Sequence, residues 1–160
     1  MRRFKKREFI PFKAVIDEDV PMIMTAHIYM PNIQPEIEGH ATATISPYLI
    51  NFWLRGSNNL GFRGVVITDD LNMEAVSADS SMKDIVIGAF KAQVDILLLV
   101  GSRDKQEQII QIIKEALVNN ELTEAVLNEA VERVLNIKNE YGLLDGAPKK
   151  TPRDLEEYVN

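Results

Sequence analysis

Three residues able to exchange protons or bind metal ions follow short apolar runs. Asp69 and Asp70 come directly after the run GVVIT, and His27 comes two residues after VPMIMT. An imidazole beside a pair of carboxylates can perform acid–base, nucleophilic or metal chemistry. Whether it does depends on the elements that bring these side chains together.

Three apolar runs are candidates for those elements: Val20–Thr25, Gly64–Thr68 and Asp95–Val100. None alternates polar with apolar residues, which is typical of strands buried on both faces in a parallel sheet. Helical patterns separate them, so the sequence predicts an α/β fold in the order β-α-β-α-β-α. Ligands of such folds collect at the carboxyl ends of the strands, where His27, Asp69, Asp70 and Gly101-Ser102 are expected. Gly101-Ser102 is too short for a phosphate loop.

Helix signals surround the apolar runs. They predict a helix over Glu8–Asp17 interrupted near Pro11, one after Ser46-Pro47, one capped by Ser80 or Ser81, one opening at Asp104, and one capped by Thr123 and stopped by Gly142. The stretch from Pro31 to Ser46 is long for a loop after a strand, which is typical of functional or mobile loops.

Each candidate also has a structural interpretation. Asp69 and Asp70 point in opposite directions in an extended backbone, so one faces the site while the other caps a helix or pairs with a lysine. His27 can be a buried, hydrogen-bonded histidine. Met73 can be a packing residue, and His40 lies in a polar loop where exposure is expected.

Composition narrows the classes of function. The chain has 160 residues, 46% hydrophobic and 26% charged, enough for one domain with a core. The net charge of −6 argues against nucleic acid as a partner. There is no cysteine, and no apolar run reaches the ~18 residues of a membrane span, so we expect no membrane association. The basic start MRRFKKR lacks a following apolar stretch and is no secretory signal, which favours the cytoplasm if Met1 is the true start.

The segment GFRGVVITDDLNM, from Gly61 to Met73, resembles the strand of glycoside hydrolase family three that ends in the nucleophilic aspartate. Further segments are similar to that family in the same order, from about Glu8 to Leu144. They are PFKAVI, VPMIMTAHI, ATISPYLI, DILLLVG and ERVLNIKNEYGLL. The likeness is to the β-N-acetylglucosaminidase or β-hexosaminidase branch.

The resemblance implies a retaining glycosidase that removes terminal β-linked N-acetylglucosamine from peptidoglycan or chitin-type fragments, with no cofactor and no metal. Asp69 takes the position of the catalytic nucleophile. His27, Asp70 and Met73 become candidates for substrate binding. The carbohydrate is the expected small-molecule partner.

The resemblance covers only part of the family's eight-stranded (β/α) barrel. Residues 1–144 match its last three βα units and closing helix, and residues 145–160 form a polar tail. The family's acid/base loop and sugar-binding strands have no counterpart. We therefore expect self-association, aggregation, cover by the tail, or pairing with a complementing N-terminal fragment. Two other interpretations stay open: a non-catalytic remnant or split subunit, and a receiver-like domain holding Mg²⁺ at Asp69 and Asp70.

Overall fold

The structure is a computed structural model of the chain, and it describes residues 7–35, 38–73 and 80–144. The predicted polar tail, 145–160, and residues 1–6, which start the basic leader and the predicted 1–144 unit, lie outside these residues. The described elements, in chain order, are α1 (Phe9–Asp17), β1 (Met22–Met24), a 3₁₀ turn (Ala43–Ile45), a π-helix (Tyr48–Arg55), β2 (Val65–Ile67), α2 (Met82–Lys91), α3 (Arg103–Val118) and α4 (Glu124–Glu140). No helix within these ranges is long and apolar enough to cross a membrane.

The two strands pair in parallel, with Met24 opposite Ile67. Beyond β2, the segment 95–100 joins the sheet through a single parallel bridge between Ile67 and Ile96. The predicted parallel arrangement is confirmed, and the prediction of a full third strand over Asp95–Val100 is wrong. The first two strands are also shorter than their apolar runs.

Hydrogen bonding explains the incomplete third strand. The amides of Asp95 and Ile96 both donate to the carbonyl oxygen of Val66, at 2.8 and 3.1 Å. Two residues later, the Leu98 amide donates to the Thr68 hydroxyl at 2.8 Å instead of to a main-chain carbonyl. These alternative acceptors satisfy the amide donors, but they interrupt the regular ladder of main-chain hydrogen bonds that defines a strand.

Helices cover one side of this sheet. One core cluster, which includes Ile85, Phe90 and Ile109, lies among α2, α3 and α4. A second, which includes Ile50 and Val66, lies beneath the π-helix. Because side chains alternate along a strand, the neighbours of Val66 in β2 point toward the opposite side.

Most of the helix boundaries agree with the sequence. Ser81 forms a capping box with Asp84, and the Thr123 hydroxyl accepts the Val126 amide at 3.4 Å. Gly142 takes a positive φ of 72° after α4 ends. α3 begins at Arg103, one residue before the predicted opening at Asp104, which lies in its first turn.

Pro11 does not interrupt α1. It lies in the first turn of Phe9–Asp17, where amide groups have no partner within the helix, so a residue without an N–H group is tolerated there.

The helix predicted after Ser46-Pro47 is wound as a π-helix rather than an α-helix. The Ser46 hydroxyl accepts the Leu49 amide at 3.1 Å, as expected of a cap. Glu38, from the preceding loop, accepts the Tyr48 amide at 2.9 Å and the Ser46 hydroxyl at 2.5 Å. The loop that follows β1 is therefore fastened to the start of the π-helix.

Candidate active site

Asp69 lies just beyond the carboxyl end of β2. The neighbouring strand ends at the same level, since the Thr25 amide donates to the Ile67 carbonyl at 2.8 Å. One carboxylate oxygen of Asp69 accepts the amide of Asp70 at 2.8 Å. The side chain is partly exposed, and within the described ranges its other oxygen accepts no hydrogen bond, so that oxygen can approach another molecule.

Asp70 takes a different role from its neighbour. Its Oδ1 accepts three donors: the Val100 amide at 2.9 Å, the Asn72 amide at 3.1 Å and the Asn72 side chain at 3.2 Å. The amide of Val100 is the largest cause that holds the pKa of the Asp70 carboxyl below its usual value, followed by the amide of Asn72. Asp70 thereby ties the turn after β2 to the end of the 95–100 segment.

His27 is buried and bonded through both ring nitrogens. Its Nε2 lies 3.1 Å from the carbonyl oxygen of Asp70. A carbonyl only accepts, so Nε2 carries the hydrogen. Its Nδ1 lies 2.9 Å from the hydroxyl of Thr44, which lies 2.9 Å from that of Thr25. The Thr44 hydroxyl also lies 3.3 Å from the carbonyl oxygen of Ala26, and it donates its single hydrogen either to that carbonyl or to Nδ1 of His27.

The carbonyl of Asp70 also accepts the Met73 amide, at 3.1 Å. This closes a turn over residues 70–73, in which Met73 is 44% exposed. His27 and Met73 therefore meet at one carbonyl group, directly after Asp69. The fold brings the four predicted site residues together at the carboxyl end of the sheet: His27, Asp69, Asp70 and Met73. His40 is exposed, as its polar loop predicted, and its ring contacts that of Tyr29.

The sequence analysis did not identify two further residues of this site, Thr44 and Asn72. Thr44 is fully buried and comes from the loop after β1, and nothing in its local sequence distinguishes it from Thr42. Asn72 bonds both Asp70 and, through its side-chain oxygen, the ammonium group of Lys105 at 2.9 Å. An asparagine two residues after an aspartate is a common turn signal, which could have indicated this contact.

A buried charge cluster occupies the opposite end of the sheet. Asp95 accepts hydrogen bonds from Arg55 at 2.6 Å, Arg133 at 2.7 Å and the Val66 amide at 2.8 Å. Arg55 also donates to the carbonyls of Gln93 and Gly64. Burial, the largest cause, lowers the pKa of Arg55, while the charge of Asp95 opposes that shift. Residues at the amino ends of parallel strands generally serve stability rather than catalysis.

Within the described ranges, no three histidine, cysteine or acidic residues are grouped so that they could hold a metal ion. Oδ1 of Asp70 already accepts three hydrogen bonds. The receiver-like interpretation needs a further acid near Asp69 and Asp70.

Comparison with known proteins agrees with this architecture. The family model of the glycosyl hydrolase family 3 N-terminal domain matches residues 1–137. A β-hexosaminidase A of Pseudoalteromonas piscicida is 28% identical over 148 residues, which cover 85% of this chain and 25% of that protein. A β-hexosaminidase of Xylella fastidiosa strain 9a5c is 36% identical over 92 residues, or 58% of this chain and 25% of that protein.

Solved structures give the same result. A family 3 β-N-acetylglucosaminidase from Paenibacillus sp. FPU-7 superposes with a TM-score of 0.82 at 29% identity, over 96% of this chain and 28% of that one. The β-N-acetylglucosaminidase of Thermotoga maritima superposes with a TM-score of 0.74 at 25% identity, over 84% of this chain and 29% of that one. This chain thus spans little more than a quarter of these relatives' length. Since the family model covers most of its residues, the chain belongs to glycosyl hydrolase family 3.

Proposed function

We propose that this chain is the nucleophile-bearing part of a retaining β-N-acetylhexosaminidase, with Asp69 as the nucleophile. The observation that carries the proposal is the placement of Asp69 at the carboxyl end of β2, with one carboxylate oxygen open and the following turn braced by His27. Retaining glycosidases need such a carboxylate to attack the anomeric carbon of the sugar.

The direction of Asp69 supports this role. Val66 points into the helix-covered core, so by alternation Ile67 and Asp69 point to the other side of the sheet. In a closed barrel that side is the interior, and substrates enter it at the carboxyl ends of the strands. We infer that β1, β2 and the 95–100 segment, with their helices, correspond to the last three βα units of such a barrel.

The neighbouring residues have positioning roles in this proposal. His27 uses both ring nitrogens within the protein and Asp70 uses Oδ1, so we assign them to fixing the turn and with it the angle of the Asp69 carboxylate. Met73 is the better candidate for contact with the sugar, because its side chain is exposed beside Asp69 and an apolar thioether packs well against a ring face.

The proposed substrate is a terminal β-linked N-acetylglucosamine residue, as the names of the relatives suggest. A second group must protonate the leaving oxygen, and general acid assistance contributes ~10²–10⁴ in rate. His27 is buried and doubly bonded, and His40 is the other histidine of the chain. We therefore expect this chain alone to lack enzyme-like activity, and a complementing N-terminal fragment to be required.

The test is hydrolysis of p-nitrophenyl N-acetyl-β-glucosaminide by the purified chain, alone and mixed with a supplied N-terminal barrel fragment. We expect turnover only in the mixture, and we expect Asp69→Asn to abolish it. Asp70→Asn is the matched control: it changes the adjacent carboxylate in the same way and should keep measurable activity. Equal loss in both variants, or activity that survives Asp69→Asn, would remove Asp69 from the nucleophile role.

A further inference from the structure

Three arginine side chains converge at the amino end of the sheet, beside the buried carboxylate of Asp95. Arg55 ends the π-helix, Arg63 lies just before β2, and Arg133 lies in α4. All three line one largely polar pocket of about 460 Å³, here called the arginine pocket. Its volume is in the range of small-molecule binding sites. Side chains from three separate parts of the fold therefore meet around one space that a small ligand fits.

Arg55 is the innermost of the three arginines and uses its guanidinium group within the protein. Its side chain is 6% exposed, pairs with Asp95 and donates to two main-chain carbonyls. Burial is the largest cause that lowers the pKa of Arg55, and the charges of Arg133 and Arg63 lower it further. Since a like charge has this effect only when it is near, the three guanidinium groups lie close together.

The other two arginines have donors that the described part of the chain does not use. Nε of Arg133 donates to Asp95 at 2.7 Å, but Nη1 lies 3.7 Å from the Glu129 carboxylate, beyond hydrogen-bonding distance. Arg63 is exposed, and within the described ranges its guanidinium group forms neither a hydrogen bond nor an ion pair. Both side chains are therefore able to donate to a bound molecule.

The arginine pocket carries more positive than negative charge. Three guanidinium groups stand against the two carboxylates of Asp95 and Glu129, which leaves a surplus of one positive charge. The Glu129 side chain is 54% exposed, so water screens its charge. Two further acids, Asp19 and Glu140, line the adjoining groove rather than this pocket, and within the described ranges neither forms an ion pair. The pocket therefore favours an anion.

We propose that the arginine pocket binds the phosphate group of a small molecule, either inorganic phosphate or a phosphomonoester. Arginine presents parallel N–H donors that match the oxygens of an oxyanion in pairs. A carboxylate has two oxygens and is satisfied by one guanidinium group, whereas a phosphate has further oxygens for a second. Arg63 and Arg133 thus bind one phosphate together, and Asn51 and Ser57 line the pocket as uncharged donors.

A phosphate in this pocket stabilises the fold and takes no part in the chemistry proposed for Asp69, which lies at the opposite end of β2. Asp95 connects Arg133 to the Val66 amide of β2. A ligand that contacts Arg133 therefore binds the folded chain alone and raises its stability by mass action. The net charge of −6 opposes an extended polyanion such as nucleic acid, so the ligand is small.

The test is a phosphorus NMR titration of the purified chain at constant ionic strength, with inorganic phosphate and glucose 6-phosphate as probes. We expect a Kd below about 10 mM for at least one probe, with little competition from acetate. Arg63→Gln should weaken binding at least about tenfold. Arg103→Gln, the same change at an exposed arginine outside the pocket, should alter the Kd by less than about twofold. Glu129→Gln removes a competing carboxylate and should strengthen binding about two- to fivefold.

A second readout is the thermal midpoint, which phosphate should raise more than chloride does at the same ionic strength. Far-UV circular dichroism should be unchanged in all three variants, because the replaced side chains are exposed. Tighter binding of glucose 6-phosphate would identify a phosphomonoester as the ligand, and equal or tighter binding of inorganic phosphate would identify the free anion. Absence of saturable binding, equal losses in Arg63→Gln and Arg103→Gln, or equal competition by acetate would overturn the proposal.

Discussion

Asp95 is the residue whose replacement should cost this fold most. Its carboxylate accepts hydrogen bonds from Arg55, Arg133 and the Val66 amide. The side chain of Asp95 is 0% exposed and that of Arg55 is 6% exposed. Asp95→Asn keeps the shape of the side chain but removes its charge. In either orientation, the NH₂ group of the new asparagine faces an arginine, so that two hydrogen-bond donors point at each other.

The magnitude follows from the buried charge that remains. Removing one partner of a buried ion pair typically costs 3–5 kcal/mol, and small domains have only about 5–15 kcal/mol in total. With a urea dependence of about 2 kcal/mol per molar, the unfolding midpoint should fall by roughly 1.5–2.5 M. Urea titration followed by far-UV circular dichroism measures this shift directly.

The matched control is Arg103→Gln, which removes the exposed ion pair between Arg103 and Glu107. These side chains are 88% and 61% exposed, so the change should be below about 1 kcal/mol. If Asp95→Asn proved as mild as Arg103→Gln, the cluster would contribute little and the stability argument for the amino end of the sheet would be refuted.

The remaining predictions concern the cluster around Asp69. Thr44→Val keeps the side-chain volume but leaves Nδ1 of His27 and the Thr25 hydroxyl without their shared partner. The free energy of unfolding, measured in urea, should fall by about 1–3 kcal/mol, and a change near zero would refute a stabilising role for these hydrogen bonds. Asp70 has a lowered pKa in the folded state, so its contribution is present above the ordinary aspartate pKa and is lost as pH falls through the folded value. Wild type should therefore lose more stability between pH 6 and pH 3 than Asp70→Asn, and identical pH profiles would contradict this.

The sequence alone determined much of the local structure. The capping signals at Ser81 and Thr123, the stop at Gly142 and the cap at Ser46 depend on contacts within a few residues, which local sequence specifies. The parallel arrangement followed from uninterrupted apolar runs, because strands buried on both faces exclude polar residues. The segment from Gly61 to Met73 also placed the candidate carboxylate of Asp69 at a strand end.

Only the tertiary structure decided how those pieces are joined. The third apolar run pairs through one bridge, since Thr68 and the convergence of two amides on Val66 replace the regular ladder. Thr44 reaches His27 across 17 residues of chain, and Arg55 reaches Asp95 across 40. Such partners are chosen by the packing of distant segments, because most polar groups buried there have a hydrogen-bond partner. Local sequence patterns indicate that Asp69 and Asp70 follow a strand end, whereas long-range packing determines what holds their side chains in place.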